Sequence, residues 1–306
     1  YVTQRRNLGF RLQIDREQLL HFAKYVSDTG HQTPLTTELA LRWVRLPKHA
    51  SPSYQIRRLA TIRSFAKYLA VYEPKTEIPP RTILRVPYYR PQPYIYSQQE
   101  IENLLRACTQ LTPPQGLRPQ TYRTLFGLLM ATGLRVSEAL KLNRSDVDLD
   151  QGLLTVRDTK FRKSRLVPVH DSTRQALRRY ADLRNRCYPF QTISETFFLS
   201  NRGSALPYST VSAVFRQLRR RLGWEQKNGK RPPRIHDLRH TFACWRILRW
   251  YEQGVNVDQF IPLLSTYLGH VKVSDTYWYL TGIPELFAIT VKRFEHYAQS
   301  KKGVKS

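Results

Sequence analysis

The chain has 306 residues, enough for two domains that each bury a core, and its 41% hydrophobic content excludes a disordered polycation. Its 50 Lys and Arg face 23 Asp and Glu, and the excess of +27 is spread over the chain, with +10 on residues 1–95 and +17 on the remainder. This charge points to a polyanionic partner, either nucleic acid or an anionic membrane surface, while the absence of an apolar run of 18 residues predicts no membrane span.

The first part of the chain has the pattern of helices. Apolar side chains at helical spacing predict a helix over residues 16–27, with Leu20 in its apolar stripe, and a second helix over residues 37–46. A third helix is predicted to begin at Ser51-Pro52, because serine caps a helix and proline suits its first turn. Its other faces carry basic candidates for DNA contacts, although a solvated helix looks the same: Arg57, Arg58, Arg63 and Lys67.

A proline-rich stretch between Glu73 and Pro93 predicts a linker between two domains. Shortly after it, Ser97 and Glu100 have the spacing of a capping box, in which each end of the first helical turn hydrogen-bonds the other. We therefore predict a helical domain over residues 1–92 and a second domain over residues 93–306.

The second domain is predicted to mix helices with a small sheet. Residues 122–131 have the composition of a buried helix, and residues 153–157 and 165–169 form two predicted strands around a polar turn. Further helices are predicted near residues 172–186, 209–222, 240–251, 257–268 and 284–299. The expected fold class is mainly α with a small β-sheet, an α+β arrangement.

Five local patterns in this domain stand in one order. They are Ala131-Thr-Gly-Leu-Arg135-Val-Ser-Glu138, Lys160-Phe-Arg-Lys-Ser-Arg-Leu-Val-Pro-Val169, His236-Asp-Leu-Arg-His240, Leu268-Gly-His270 and Tyr279. No single pattern is decisive, but the complete order closely resembles the tyrosine recombinases, the family of lambda integrase, Cre and the Xer proteins. The resemblance implies an N-terminal core-binding domain, a catalytic domain and a C-shaped clamp of both around DNA.

The resemblance also implies a role for each cation. Arg135 and Arg239 would hold the scissile phosphate, since paired guanidiniums stabilise the charge that develops in phosphoryl transfer. Lys160 would protonate the departing 5′ oxygen, although Lys163 competes for this role. Arg162 and Lys163 in the same turn are further candidates for DNA contacts.

The histidines and the nucleophile follow from the same resemblance. His236 would assist proton transfer, His270 would hydrogen-bond the phosphate, and His240 would be a packing residue. The family's nucleophile stands nine residues after the histidine of Leu-Gly-His, which selects Tyr279 over the neighbouring Tyr277. Adjacent cations and His236 must assist it, because a phenol is a weak nucleophile at neutral pH.

Three other functions fit parts of the sequence. Asp146, Asp148 and Asp150 could bind Mg²⁺ in a metal-dependent nuclease, although a turn before a strand has the same composition. A type IB topoisomerase uses the same catalytic residue types on one duplex. A recombinase-like protein without catalysis would only bind DNA.

The recombinase resemblance implies double-stranded DNA at a recombination site as the substrate, with no metal and no cofactor. It also implies a homotetramer on two duplexes, with accessory DNA-bending or directionality proteins as further partners. Residues 284–299 would form a C-terminal helix that docks on its own domain or on a neighbouring protomer. Three cysteines without a disulfide or zinc pattern indicate a reducing compartment, so the expected location is the cytoplasm, beside the nucleoid.

Overall fold

The computed structural model describes residues 1–10, 12–84, 92–157, 164–188, 194–225 and 231–279, and it divides into two compact units, Tyr1–Arg90 and Pro91–Ser306. The first unit contains α1 (Val2–Asn7), α2 (Gln13–Asp28), α3 (Thr37–Arg45) and α4 (Pro52–Leu69). The helices of the second unit are α5 (Gln98–Thr109), α6 (Leu117–Thr132), α7 (Val136–Ala139), α8 (Asp171–Cys187), α9 (Tyr208–Arg221), α10 (Ile235–Glu252), α11 (Val257–Leu268) and α12 (Ser274–Tyr277). Its strands are β1 (Val147–Asp148), β2 (Leu153–Val156) and β3 (Arg165–Pro168). The predicted class, mainly α with a small sheet, is confirmed.

In the first unit, α3 and α4 begin at capping residues. The hydroxyl of Thr36 accepts the backbone N–H of Leu39 at 3.2 Å, and that of Ser51 accepts the backbone N–H of Tyr54 at 3.3 Å. These bonds satisfy donors that the first helical turn leaves open. The predicted starts of both helices are therefore confirmed.

The core of this unit brings together apolar residues of α2, α3 and α4. Phe22, Trp43, Leu59 and Ile62 are almost completely buried there. Leu20, which the pattern places in the stripe of α2, is instead 53% exposed. Its position on the helix points away from the face that Phe22 buries, since the two residues are two positions apart.

The prediction that Arg58 lies on an outward, basic face is wrong. Arg58 is 8% exposed, its Nη2 donates to the carbonyl of Trp43 at 2.8 Å, and its guanidinium lies 3.5 Å from the centre of the Trp43 ring. This cation–π contact joins α4 to α3. Arg57 and Lys67 are exposed, as predicted, while Arg63 donates to the carbonyls of Pro79 and Pro80.

The second unit begins with a predicted capping box and an anchored tyrosine. The backbone N–H of Ser97 donates to Glu100, whose own N–H donates to the Ser97 hydroxyl, so the box is confirmed. Just before it, Tyr96 is fully buried; its N–H donates to the Thr241 hydroxyl and its hydroxyl to the carbonyl of Arg234, both at 3.0 Å. The start of α5 is thereby joined to the first half of α10.

The sheet is antiparallel, in the order β1-β2-β3. Leu154 pairs with Val167, and both side chains lie in the core together with Val156. The two predicted strands are confirmed, while β1 was not predicted. Two residues are too few to give the alternation from which a strand is recognised.

The three aspartates that could suit a metal lie in and around β1 with other partners. The Asp146 carboxylate accepts from Arg157, that of Asp148 from two backbone N–H groups of the following turn, and that of Asp150 pairs with Arg178. Among the described residues, no three His, Cys, Asp or Glu side chains are grouped as metal ligands. In the same part of the chain, no helix is long and apolar enough to cross a membrane.

The remaining helices carry and support the candidate site. The predictions for α8, α9 and α11 are confirmed within one residue at each end. By contrast, α10 begins at Ile235 and not at His240, because the Asp237 carboxylate accepts the backbone N–H of Arg234 at 2.8 Å and caps the helix there. The helix predicted over residues 284–299 lies outside the described residues.

Candidate active site

Arg135 lies on the sharp turn between α6 and α7. Gly133, which follows the last residue of α6, has a φ of +62°, in the left-handed region that glycine adopts without strain. A Cβ at this position would lie 2.5 Å from Cδ1 of Phe242, so the close approach of α10 also requires glycine. The buried helix α6 contacts α5, α8 and α10, and this packing fixes where Arg135 leaves the core.

The guanidinium of Arg135 is oriented by two neighbours. Nη1 donates to Glu138 Oε1 at 2.7 Å, and Nη2 donates to the carbonyl of Gly269 at 3.2 Å. The backbone N–H of Arg135 donates to the other oxygen of Glu138 at 3.0 Å. About a third of the side chain remains open to solvent, at 30% exposure, so a ligand can reach it.

Arg239 joins three segments from the second turn of α10. It is 2% exposed, with Nη1 donating to the carbonyl of Gly133 at 2.6 Å and Nη2 to that of Leu268 at 2.7 Å. Its guanidinium also hydrogen-bonds the side chain of Tyr279. Burial lowers the pKa of Arg239 to about 10, so the group keeps its charge at neutral pH.

His236 and His240 lie one turn apart on α10, with their rings perpendicular and 4.8 Å apart. Although His236 reaches solvent, its partial desolvation and the charge of Arg239 lower the pKa of its imidazole to about 4. His240 is buried, and its ring centre lies 5.4 Å from those of Trp278 and Tyr279. His236 is therefore a neutral group at the edge of the site, and His240 contacts the side chains behind it.

His270 follows the left-handed residue Gly269, at the end of α11. Its backbone N–H donates to the carbonyl of Ser265 at 2.9 Å, and its Nδ1 lies 2.7 Å from the hydroxyl oxygen of Thr276. Burial, followed by the charges of Arg239 and Arg135, lowers the pKa of the imidazole to about 4. Like His236, His270 is therefore neutral at neutral pH.

Of the two candidate tyrosines, Tyr279 is the one that reaches these groups. It is 3% exposed, its ring stacks on His270 with centres 5.9 Å apart, and it hydrogen-bonds Arg239. Tyr277 is 40% exposed. The structure thus brings together Arg135, Arg239, His236, His270 and Tyr279.

Lys160, Arg162 and Lys163 lie outside the described residues, but the strand that follows them is hydrogen-bonded to the site. Arg165, the first residue of β3, donates from Nε to the carbonyl of Tyr267 and from Nη2 to Glu138, both at 2.8 Å. Arg165 and Glu138 were not predicted as site residues from the sequence. The only local signals were that Glu138 stands three residues after Arg135 and that Arg165 ends the lysine-containing turn.

The site has a positive balance at neutral pH. Burial alone would raise the pKa of Glu138, but its hydrogen bond with Arg165 and the charges of Arg165 and Arg135 outweigh burial and hold that pKa below its usual range. One carboxylate therefore faces the guanidiniums of Arg135, Arg165 and Arg239, while the two imidazoles are uncharged. The arrangement can bind an anion against Arg135 and Arg239 and hold a phenol beside it.

The comparisons with known proteins agree with this chemistry. The model of the phage integrase family matches residues 95–282. A protein named for an inferred integrase/recombinase activity, y4rB of Sinorhizobium fredii, is 43% identical over 300 residues, which cover 96% of this chain and 95% of the relative. The tyrosine recombinase XerC of Chlamydia caviae is 32% identical over 72% of this chain and 64% of its own length.

Two solved structures share the fold at low identity. The integrase of the Tn1549 transposon, in complex with transposon right-end DNA, has a TM-score of 0.67 at 18% identity and covers 97% of this chain and 98% of its own. The site-specific recombinase XerH, bound to its palindromic substrate, has a TM-score of 0.65 at 18% identity, with 91% and 78% covered. At this identity the likeness shows the fold alone.

Proposed function

Because the chain belongs to the phage integrase family, the tyrosine recombinases, we propose that it cleaves and rejoins DNA at a specific site through a 3′-phosphotyrosyl intermediate and a Holliday junction. The observation that carries the proposal is the position of Arg239. Its buried guanidinium donates to the carbonyls of Gly133 and Leu268, which stand two residues before Arg135 and His270, and it also bonds Tyr279. A cation in contact with a phenol is what a tyrosine nucleophile and a phosphate require together.

In the cleavage step, the phenol oxygen of Tyr279 attacks the scissile phosphorus. A bond forms between that oxygen and phosphorus, and the bond from phosphorus to the 5′ oxygen breaks. Arg135 and Arg239 hold the non-bridging oxygens, whose charge increases in the transition state. The phosphate stays on the enzyme as a diester, so its bond energy is retained for rejoining and no ATP is consumed.

Two protons must move in this step. The phenol proton passes to His236, whose imidazole is neutral at neutral pH and so offers an acceptor nitrogen, and whose basicity the bound phosphate raises. Lys160 donates a proton to the departing 5′ oxygen, which leaves as a hydroxyl. His270 hydrogen-bonds a non-bridging oxygen and helps to position the phosphate. Metal and cofactor have no part in this scheme.

Covalent capture tests the proposal. Incubation of the protein with an end-labelled, nicked target duplex in EDTA should give a denaturant-resistant adduct with a 3′-phosphotyrosyl bond and a free 5′ hydroxyl. Tyr279→Phe should abolish the adduct, while the matched control Tyr277→Phe should retain it. An adduct that survives Tyr279→Phe and is lost in Tyr277→Phe would exclude Tyr279 as the nucleophile. If neither the wild type nor a variant forms an adduct, the protein binds DNA without catalysis.

The wider biological role is also part of the proposal. The relatives include integrases, and one structural neighbour holds a transposon end. These likenesses support integration, excision or transposition of a mobile element. We further propose that a homotetramer on two duplexes carries out the reaction, with accessory DNA-bending or directionality proteins as partners. Residues 1–92 would be the core-binding domain and residues 93–306 the catalytic domain. Such an enzyme would work beside the nucleoid in the cytoplasm.

A further inference from the structure

The hydrogen bond between His270 and Thr276 lies inside the candidate site but has no place in the scheme above. Thr276 belongs to the short helix α12, one helical turn before Tyr279, and its side chain is completely buried. Its Oγ1 lies 2.7 Å from Nδ1 of His270. The same residue is therefore close to the proposed nucleophile in sequence and bonded to a proposed phosphate ligand.

The direction of this bond follows from the supply of donors and acceptors. A threonine hydroxyl carries one proton, whereas a neutral imidazole carries one N–H and one acceptor nitrogen. Among the described residues, Nδ1 of His270 is the only side-chain or backbone partner of the Thr276 hydroxyl. If Nδ1 donated, the hydroxyl proton would be buried without an acceptor, which is unfavourable.

Because His270 is neutral, the direction of this hydrogen bond fixes its tautomer. Burial and the charges of Arg239 and Arg135 lower the pKa of the imidazole to about 4, so at neutral pH a single ring proton is shared between two nitrogens. If the hydroxyl donates to Nδ1, the ring proton must lie on Nε2. The Nε2–H then has no partner in the described part of the chain and is available to a ligand.

We propose that Thr276 is a positioning residue, which donates its hydroxyl proton to Nδ1 of His270 and thereby holds Nε2 as a hydrogen-bond donor for a non-bridging phosphate oxygen. The role of Nε2 toward phosphate rests on the proposed function, whereas the tautomer does not. An Nδ1–H tautomer would instead direct a lone pair at the anion and repel it. Because Thr276 and Tyr279 are three residues apart, the bond also ties the position of the nucleophile to that of His270.

Nitrogen NMR measures the tautomer directly in the full chain without DNA. With the histidines labelled by ¹⁵N, and the His270 signals assigned by their loss in His270→Gln, the wild type at neutral pH should show a protonated Nε2 and an unprotonated Nδ1. Thr276→Ser keeps the hydroxyl and should keep this pattern. Thr276→Val has nearly the same shape without the hydroxyl and should give a mixture or the reverse tautomer.

Cleavage of the nicked duplex provides the second measurement. We expect Thr276→Val to slow adduct formation by about ten- to a hundredfold, the size of loss that follows removal of the group that orients a metal-bound histidine, and Thr276→Ser to restore most of the rate. The affinity for DNA should change little, since many phosphate contacts remain. A purely structural role would instead lower the melting temperature and the rate together, without a change of tautomer.

The outcomes separate the two proposals. An Nδ1–H tautomer in the wild type overturns the role of Thr276, as does an unchanged tautomer and rate in Thr276→Val. If Thr276→Val does not fold, the wild-type and Thr276→Ser spectra still decide the tautomer. If the tautomer is as expected but the wild type forms no adduct, the proposed function fails while the hydrogen-bond assignment stands.

Discussion

At the scale of single residues, His236 and His270 make the stability of the protein depend on pH. Their pKa values of about 4 in the folded protein lie below the value of about 6.5 for a free imidazole. Between these values the unfolded chain binds more protons than the folded one. The free energy of unfolding should therefore be fully retained above about pH 6.5 and decrease as the pH falls toward 4.

NMR titration of the histidine ring carbons checks this prediction. In the free protein both midpoints should lie near 4, with the signals assigned by His236→Gln and His270→Gln. Binding of DNA should raise both midpoints, because a nearby phosphate stabilises the charged imidazolium. Midpoints near the free value in the unbound protein would show that burial and the arginines do not act as described.

Lys160 and Lys163 can be distinguished by the leaving group. If Lys160 is the acid, Lys160→Ala should slow cleavage of a normal 5′ oxygen by about 10²- to 10⁴-fold. A 5′-bridging phosphorothiolate should be cleaved at nearly the normal rate, because its sulfur leaves without a proton. Lys163→Ala is the matched control and should slow neither substrate by as much. Equal slowing of both substrates by Lys160→Ala would remove Lys160 from this role.

At the scale of elements, the end of α6 should be more sensitive to substitution than the end of α10. Gly133 and Gly254 both follow a helix with a positive φ, of +62° and +75°. A side chain at Gly133 would overlap Phe242 and Leu268, whereas Gly254 has open space around it. We expect Gly133→Ala to lower the free energy of unfolding by about 2–5 kcal/mol, from backbone strain and overpacking together.

Gly254→Ala serves as the control for backbone strain alone. It should cost about 1 kcal/mol, since only the left-handed conformation is penalised. Urea unfolding of both variants measures the difference, and adduct formation shows whether Arg135 has moved. Equal losses of stability in the two variants would mean that α6 and α10 can separate without cost.

The elements that could be predicted from sequence are those with local signals. The starts of α4 and α5 were predicted from caps at Ser51 and Ser97. The start of α3 was predicted from apolar spacing alone, and its cap, Thr36, was found only in the structure. The order of the motifs likewise selected Arg135 and Arg239, whose guanidiniums meet at the end of α11, where they donate to the carbonyls of Gly269 and Leu268. Both kinds of signal can be recognised in the sequence without knowledge of tertiary contacts.

The features that were missed depend on residues far apart in the chain. Arg58 is buried because Trp43, on another helix, covers it. Arg165 bonds Glu138, 27 residues before it, and Tyr267, 102 residues after it. No local pattern carries such pairs, because tertiary packing decides them.

At the scale of the whole molecule, positive charge is shared by both units, with +10 on residues 1–95 and +17 on the rest. The clamp predicted from sequence requires the first unit to neutralise phosphates, and α4 offers Arg57 and Lys67, which are exposed. Each phosphate contact releases a condensed counterion, so the logarithm of the affinity falls with the logarithm of salt by about 0.9 for each contact.

Replacing Arg57 and Lys67 together by glutamine should therefore reduce the steepness of this salt dependence by about 2, measured by fluorescence anisotropy on a duplex between low and moderate salt. The matched control replaces Arg42 and Arg45, which are exposed on α3, by glutamine and so removes the same charge. Arg42 already pairs with Glu38, so the control should change the slope less. An unchanged slope in both double variants would mean that the first unit does not neutralise the backbone, and the clamp would be wrong. A larger change in the control would show that α3, and not α4, contacts the phosphates, because substitutions on the contacting helix reduce counterion release the most.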